Sequence, residues 1–276
     1  MTTKLFLREN KLKKFIPVNT PLVDGNEKKY LQKCIDTGWI SSEGPHVREF
    51  EEKFAEIVDR KHAISVTNGS NALETAITAL DLQKGDEVIL PTFTIISCVA
   101  PLIRIGAVPV FVDADPLTWN MDTSQIEDKI TSRTKAIMAV HIYGLPVDMD
   151  HLLGLADKYG LKVIEDAAEA HGLQYKGKIC GSFGDVSTFS FYPNKLITTG
   201  EGGIIVTNNN AIADKCRSLR NLCFQSKKRF FHEELGWNFR MTNIQAALGL
   251  AQIERLDEFI KKKEAWAESI FLFLVV

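Results

Sequence analysis

In the stretch "FSFYPNKLITTGEGG" (189–203) one lysine sits among residues that are apolar, small or neutral until the glutamate near its end, after a strand-like run and before a glycine-rich turn. A strongly hydrated ammonium is cheapest at a surface, so one reading of Lys195 is a loop lysine in solvent. The other is an amine drawn out of water and ringed by polar partners, which lowers its pKa and makes it nucleophilic toward carbonyls. Ser190, just upstream, offers a hydroxyl to an anion, and "TGEGG" lets the chain turn where side chains would collide. In "VTNGSNALETA" (66–76) Gly69 and Ser70 fall where a strand passes into a helix, so their N–H groups form an anion site. Asn-Gly-Ser is equally a routine turn and helix cap. In "VIEDAAEAHG" (163–172) a buried-type strand ends in Glu165 and Asp166. A carboxylate there either caps a helix or holds a protonated ring nitrogen by a charge-assisted hydrogen bond. His171 reads more readily as structural than as catalytic.

Each feature alone has an ordinary explanation. Together they supply a phosphate cradle, a carboxylate for a pyridinium nitrogen and a lysine for a Schiff base. Those are the protein's parts in pyridoxal 5'-phosphate (PLP) chemistry, in which the cofactor is the electron sink.

Elements must hold these groups at one place. Strand-like runs recur at 62–66, 87–90, 108–112, 135–140, 162–165, 186–191 and 203–207, with helix-like segments at 70–80, 96–105, 123–129 and 149–159 between the earlier ones. Alternation of this kind implies crossovers and a mostly parallel sheet, and the near-continuous apolar runs suit strands covered on both faces. Two amphipathic helices precede this core, the second opening with Pro45 in its first turn, and helical patterns follow at 210–221 and 242–264. In open parallel sheets ligands sit beyond the carboxyl ends of the strands, where all three features fall. A dinucleotide-binding domain is disfavoured, because no G-x-G-x-x-G follows the first strand.

Composition narrows the class. The chain has 276 residues, 45% of them hydrophobic, and a net charge of -2, an ordinary balance for one large globular domain. The short basic cluster "SKKRF" (226–230) is no nucleic-acid footprint. Cys34, Cys98, Cys180, Cys216 and Cys223 form no C-x-x-C pair and no zinc spacing, so they are expected to be reduced thiols in a cytoplasmic protein with no metal. The N-terminal "MTTKLFLRENKLKKF" lacks the long apolar core of a signal peptide, and the final "IFLFLVV" is too short to span a bilayer.

The sequence resembles the DegT/DnrJ/EryC1/StrS family of PLP-dependent sugar aminotransferases from about residue 16 to about residue 264. The likeness is carried by "GWISSEGPHVREFEEKFA", "VTNGSNALETAITAL", "GDEVILPTFT", "GAVPVFVD", "VHIYGLPVDMD", "VIEDAAEAHG", "GDVSTFSFYPNKLITTGEGG" and "FRMTNIQAALGLAQIERL". It implies an α/β, aspartate aminotransferase-like (type I) PLP fold with a mostly parallel seven-stranded sheet between helices. It implies that Lys195 forms the Schiff base and that Asp166 pairs with the pyridine nitrogen. Gly69, Ser70 and Ser190 would take the phosphate, Glu169 would stand beside the cofactor, and Ile95 would cover the ring where relatives usually place an aromatic residue. Asn238 would reach the phosphate in the neighbouring subunit of a homodimer with shared active sites.

Related dehydratases replace the lysine with histidine, so Lys195 points to transamination. The implied reaction moves the amine of L-glutamate onto a nucleotide-linked 4-keto-6-deoxyhexose, foremost GDP-4-keto-6-deoxy-D-mannose to GDP-perosamine, for lipopolysaccharide O-antigen or another glycan. Another keto nucleotide sugar is an alternative. Family members continue into a small C-terminal domain, whereas here "QIERLDEFIKKKEAWAES" breaks into "IFLFLVV". Residues 1–264 are therefore expected to form the PLP-binding large domain, and 265–276 a divergent tail where the small domain would begin. The further alternative is an inactive fragment that still binds PLP or dimerises.

Overall fold

The computed structural model describes residues 17, 19–225 and 227–274. The N-terminal segment weighed above as a signal peptide, Ser226 of the basic cluster and the last two residues of the apolar tail lie outside the described residues.

The apolar runs form strands because neighbours cover both of their faces. β1 (His62–Val66), β2 (Glu87–Pro91), β3 (Val108–Val112), β4 (Thr134–Val140) and β5 (Lys162–Asp166) come first. A two-stranded hairpin, β6 (Gln174–Tyr175) and β7 (Lys178–Ile179), precedes β8 (Val186–Ser190) and β9 (Gly203–Thr207). The main sheet has seven strands in the order β1-β9-β8-β5-β4-β2-β3. Its pairs from β8 through β5, β4 and β2 to β3 are parallel, while β9 runs antiparallel to both β8 and β1. Reversing β9 alone leaves the other six strands pointing one way. Their carboxyl ends therefore share one edge, and that edge is where chemistry gathers. β3 is partly exposed and carries Pro109, which an edge strand tolerates because it needs no full ladder.

Helices cover both faces. α1 (Glu27–Thr37) and α2 (Pro45–Ile57) precede the sheet, followed by α3 (Gly69–Thr78), α4 (Ala100–Ile105), α5 (Met149–Tyr159), α6 (Asn210–Leu219), α7 (Asn243–Ile253) and α8 (Leu256–Leu274). Along β9 the period-two alternation sends Ile205 into the core beneath α3 and α6, and Ile204 and Val206 into the core beneath α2 and α7. There Phe54 of α2 meets Phe189 and Phe191 edge-on at 4.9 and 5.3 Å. A third cluster packs α5 against β4 and β5.

Several expected helices differ. The segment 123–129 is two single 3-10 turns, and 96–105 starts as a 3-10 turn before the short α4. The long pattern at 242–264 is two helices, and α8 runs on to Leu274 instead of breaking at the apolar tail. Among the described residues no helix is long and apolar enough to cross a membrane. All five cysteines are buried free thiols.

Candidate active site

Where the six parallel strands end, a cavity of about 510 Å³ is lined by Gly69, Ser70, Ile95, Asp166, Ser190 and Lys195, with Thr188 at its wall. A second cavity of about 270 Å³ shares Ile95, Asp166 and Lys195 with it and adds Phe93, Tyr143 and Glu169.

One wall is the start of α3. Asn68 is extended and caps the helix, its side chain accepting from the Asn71 N–H at 2.8 Å, so Gly69 and Ser70 open the first turn beside the cavity. A Cβ on Gly69 would lie 2.7 Å from Cβ of Ser190, so only glycine lets α3 approach the end of β8 this closely. The hydroxyl of Ser70 pairs with that of Ser97 at 2.7 Å.

The floor is Asp166, at the end of β5 and only 3% exposed. Its Oδ1 accepts the Ala168 N–H at 3.0 Å and its Oδ2 accepts the Cys98 thiol at 3.1 Å. Burial pushes this carboxyl above its ordinary pKa, while the Cys98 and Ala168 donors and the charge of Lys195 pull it back. Burial also holds the Cys98 thiol well above its usual range, so it stays protonated and donates. Thr94 Oγ1 lies 3.1 Å from the same sulfur.

Glu165, one residue earlier, points to the other side of β5. Its carboxylate takes His141 Nε2–H at 2.9 Å, the backbone N–H groups of Gly181, Phe183 and Gly184, and the Ser187 hydroxyl. Burial acts to raise its pKa, but these donors, His141 foremost, outweigh it and bring the value to about 2. His141 Nδ1 accepts the Val147 N–H, which leaves the ring proton on Nε2. Glu165 ties the ends of β4 and β5 to the start of β8 and the turn before it, and Asp166 faces the cavity.

Lys195 lies in the turn after β8, its side chain 16% exposed. Its Nζ donates to Glu169 Oε1 at 3.0 Å, and Glu169 Oε2 accepts the Tyr143 N–H at 2.8 Å. The amine is thus paired with a carboxylate, not held alone in apolar surroundings. Ile95 is 62% exposed and stands at the junction of the two cavities. Asn238 is exposed, bridges to Asn221, and does not join the described residues that line either cavity. His171 is buried among Phe54, Phe189 and Phe191, and burial with the nearby charge of Lys195 pushes its pKa down to about 3. It is a neutral packing residue.

The sequence reading did not single out Cys98, Thr188, Phe93 or Tyr143. Cys98 and Phe93 follow β2 and Tyr143 follows β4, so their place beyond strand ends is the signal that marks these three. Thr188 lies inside a strand and carries no such signal.

A profile of the DegT/DnrJ/EryC1/StrS aminotransferase family matches residues 21–271. The chain belongs to this family. It is 50% identical over 255 residues to the GDP-perosamine synthase of Escherichia coli O157:H7, spanning 92% of this chain and 70% of that protein. Among solved structures it superposes on an aminotransferase from Psychrobacter cryohalolentis with a TM-score of 0.83 at 38% identity, covering 88% of this chain and 64% of that one. NtdA from Bacillus subtilis, solved with bound cofactor PMP, gives a TM-score of 0.77 at 34% identity, covering 84% of this chain and 52% of that one.

The family's cofactor is PLP, and the residues here fit it. Thr188 Oγ1 is buried at the cavity wall with no partner among the described residues, an acceptor and donor for a polar ligand. The helix start at Gly69 and Ser70 suits a phosphate, and the buried Asp166 suits a cationic ring nitrogen.

Proposed function

We propose that the protein is an aminotransferase that moves the amino group of L-glutamate to C4 of GDP-4-keto-6-deoxy-D-mannose. The keto oxygen leaves as water, balanced by the water consumed in releasing 2-oxoglutarate, and the product is GDP-perosamine for O-antigen or a related glycan. Support comes from the 50% identity to a GDP-perosamine synthase. The observation that carries the reading is that Lys195, Asp166 and the start of α3 line one cavity.

When bound, PLP supplies an aldehyde for an amine and a ring that accepts electrons from a carbon beside the nitrogen. Lys195 Nζ is the amine that would hold it covalently, and it would move a proton at the reacting carbon. Glu169 Oε1, at hydrogen-bond distance, positions Nζ and accepts its proton when the amine must be neutral. Asp166 would hold a proton on the ring nitrogen, and the Cys98 thiol and the Ala168 N–H donate to the carboxylate that does so. Gly69, Ser70 and Ser190 would hold the phosphate, and Ile95 would cover the ring. One lysine serving two half-reactions implies ping-pong kinetics.

We infer further that two copies share active sites in the cytoplasm. Asn238 is exposed and lines neither cavity of its own chain, which supports a role at the partner's phosphate. The test is incubation with PLP, L-glutamate and a panel of keto nucleotide sugars, read by product mass and 2-oxoglutarate release. Amination of the GDP-linked 4-keto sugar is expected. Turnover of other members of the panel but not this one would overturn the substrate assignment.

A further inference from the structure

Phe93, Trp119 and Tyr143 come from three separate loops, yet their rings form one cluster at the mouth of the cavity that holds Lys195. Centroids lie 5.6 Å apart for Phe93–Trp119, 6.1 Å for Phe93–Tyr143 and 6.4 Å for Trp119–Tyr143, at interplanar angles of 87°, 68° and 60°. All three are exposed, Tyr143 to 69%. Three large rings gathered in water beside a reactive site need a reason.

The backbone sharpens the point. Trp119 and Tyr143 both sit in the left-handed region, with φ of 62° and 50°, where a side chain is strained and glycine is not. Each is held there by a built contact. The Asp115 carboxylate accepts the N–H groups of Leu117 and Thr118, and the Asp115 carbonyl accepts the Trp119 N–H at 2.8 Å. Glu169, the partner of Lys195, accepts the Tyr143 N–H. Aromatic rings thus stand at two positions whose backbone conformation favours glycine.

We propose that Phe93 and Tyr143, backed by Trp119, form the subsite for the C6 methyl group and apolar C–H face of the substrate's deoxyhexose ring. The proposal rests on the functional reading above and deepens it. Phe93, Tyr143 and Lys195 line the same cavity of about 270 Å³, so the group beside the rings belongs to the same small ring as the reacting carbon. A nucleobase needs an open flat face, whereas rings meeting edge to face make a concave apolar corner that fits a methyl group. The subsite selects 6-deoxy sugars because a C6 hydroxyl there would be desolvated without a partner.

The test is calorimetric titration of the PLP-loaded protein with GDP-6-deoxy-D-mannose, GDP-D-mannose and GDP. Wild type should prefer the deoxy sugar by at least roughly fourfold, the worth of one buried methyl. Tyr143→Gly suits its positive φ and should keep its melting temperature, and Phe93→Leu is a second, independent variant. Both should erase the preference while leaving the affinity for GDP unchanged. An unchanged preference in both folded variants overturns the subsite and leaves the aminotransferase reading standing. An equal loss for GDP would make the cluster a base site, and a shift in dimer dissociation alone would make it a subunit contact, and either result also overturns it. Failure of wild type to bind either sugar nucleotide would remove both this proposal and the substrate assignment.

Discussion

An acid buried to the extent of Asp166 is costly to charge, and its two hydrogen bonds, one from a thiol, offset that cost only in part. A cation placed against it would complete the balance, as the protonated ring nitrogen proposed above would. Cys98 is the adjustable element of this arrangement. Cys98→Ala removes a donor to the charged form, so Asp166 should protonate at higher pH. The acid limb of PLP retention, followed by cofactor absorbance after dialysis between about pH 4 and 8, should then move up by roughly 0.5–1 unit. Cys98→Ser keeps a donor and should restore the limb; equal behaviour of the Ala and Ser variants would mean that the thiol does not act on Asp166. Little of this was legible in advance. "VIED" marks Asp166 as a strand-end acid, but that Cys98 meets it is a fact of three dimensions, because the two come from different strand ends.

The elements work through close approach. α3 can deliver its N-terminal N–H groups to the cavity only because Gly69 lets the helix rest against Ser190. Gly69→Ala drives a methyl to 2.7 Å from Cβ of Ser190, and the strain is expected to cost roughly 1–3 kcal/mol of stability in a denaturant titration. Cofactor affinity should fall with it, and a variant with wild-type affinity would show that this helix start does not hold the phosphate. The seven strands of the sheet could be read from their apolar runs because each is a short segment buried by its neighbours. The direction of β9 could not, since "GIIVT" reads alike in either orientation. The 3-10 turns at 123–129 imitate a helical pattern for one turn each and then stop. The hairpin β6–β7 was legible through Lys176–Gly177, which take φ of 49° and 82° as a two-residue hairpin turn requires, but it was not sought.

At the scale of the whole molecule, two buried groups tie the fold to pH. His171 has its pKa pushed down to about 3 and Glu165 to about 2, so between these values and their ordinary ones the unfolded chain binds more protons than the folded one. Their stabilisation is complete above about pH 6.5 and is lost as pH falls, His171 acting first and Glu165 below about pH 4.5. The His171 share of the slope is about 1.4 kcal/mol per pH unit. His171→Leu should flatten the stability profile between about pH 6.5 and 4.5, measured as urea midpoints, and an unchanged slope would place the acid sensitivity elsewhere. The same packing that keeps His171 neutral holds Phe191, whose carbonyl accepts the Thr199 N–H at the far side of the turn that carries Lys195. Every role proposed above follows from that lysine being the residue to which the cofactor would be bound. Loading the purified protein with PLP, reducing with borohydride and mapping the pyridoxyl mark by peptide mass tests it most directly. The mark is expected on Lys195 and should vanish in Lys195→Ala, whereas a mark on another lysine, or none, would contradict it.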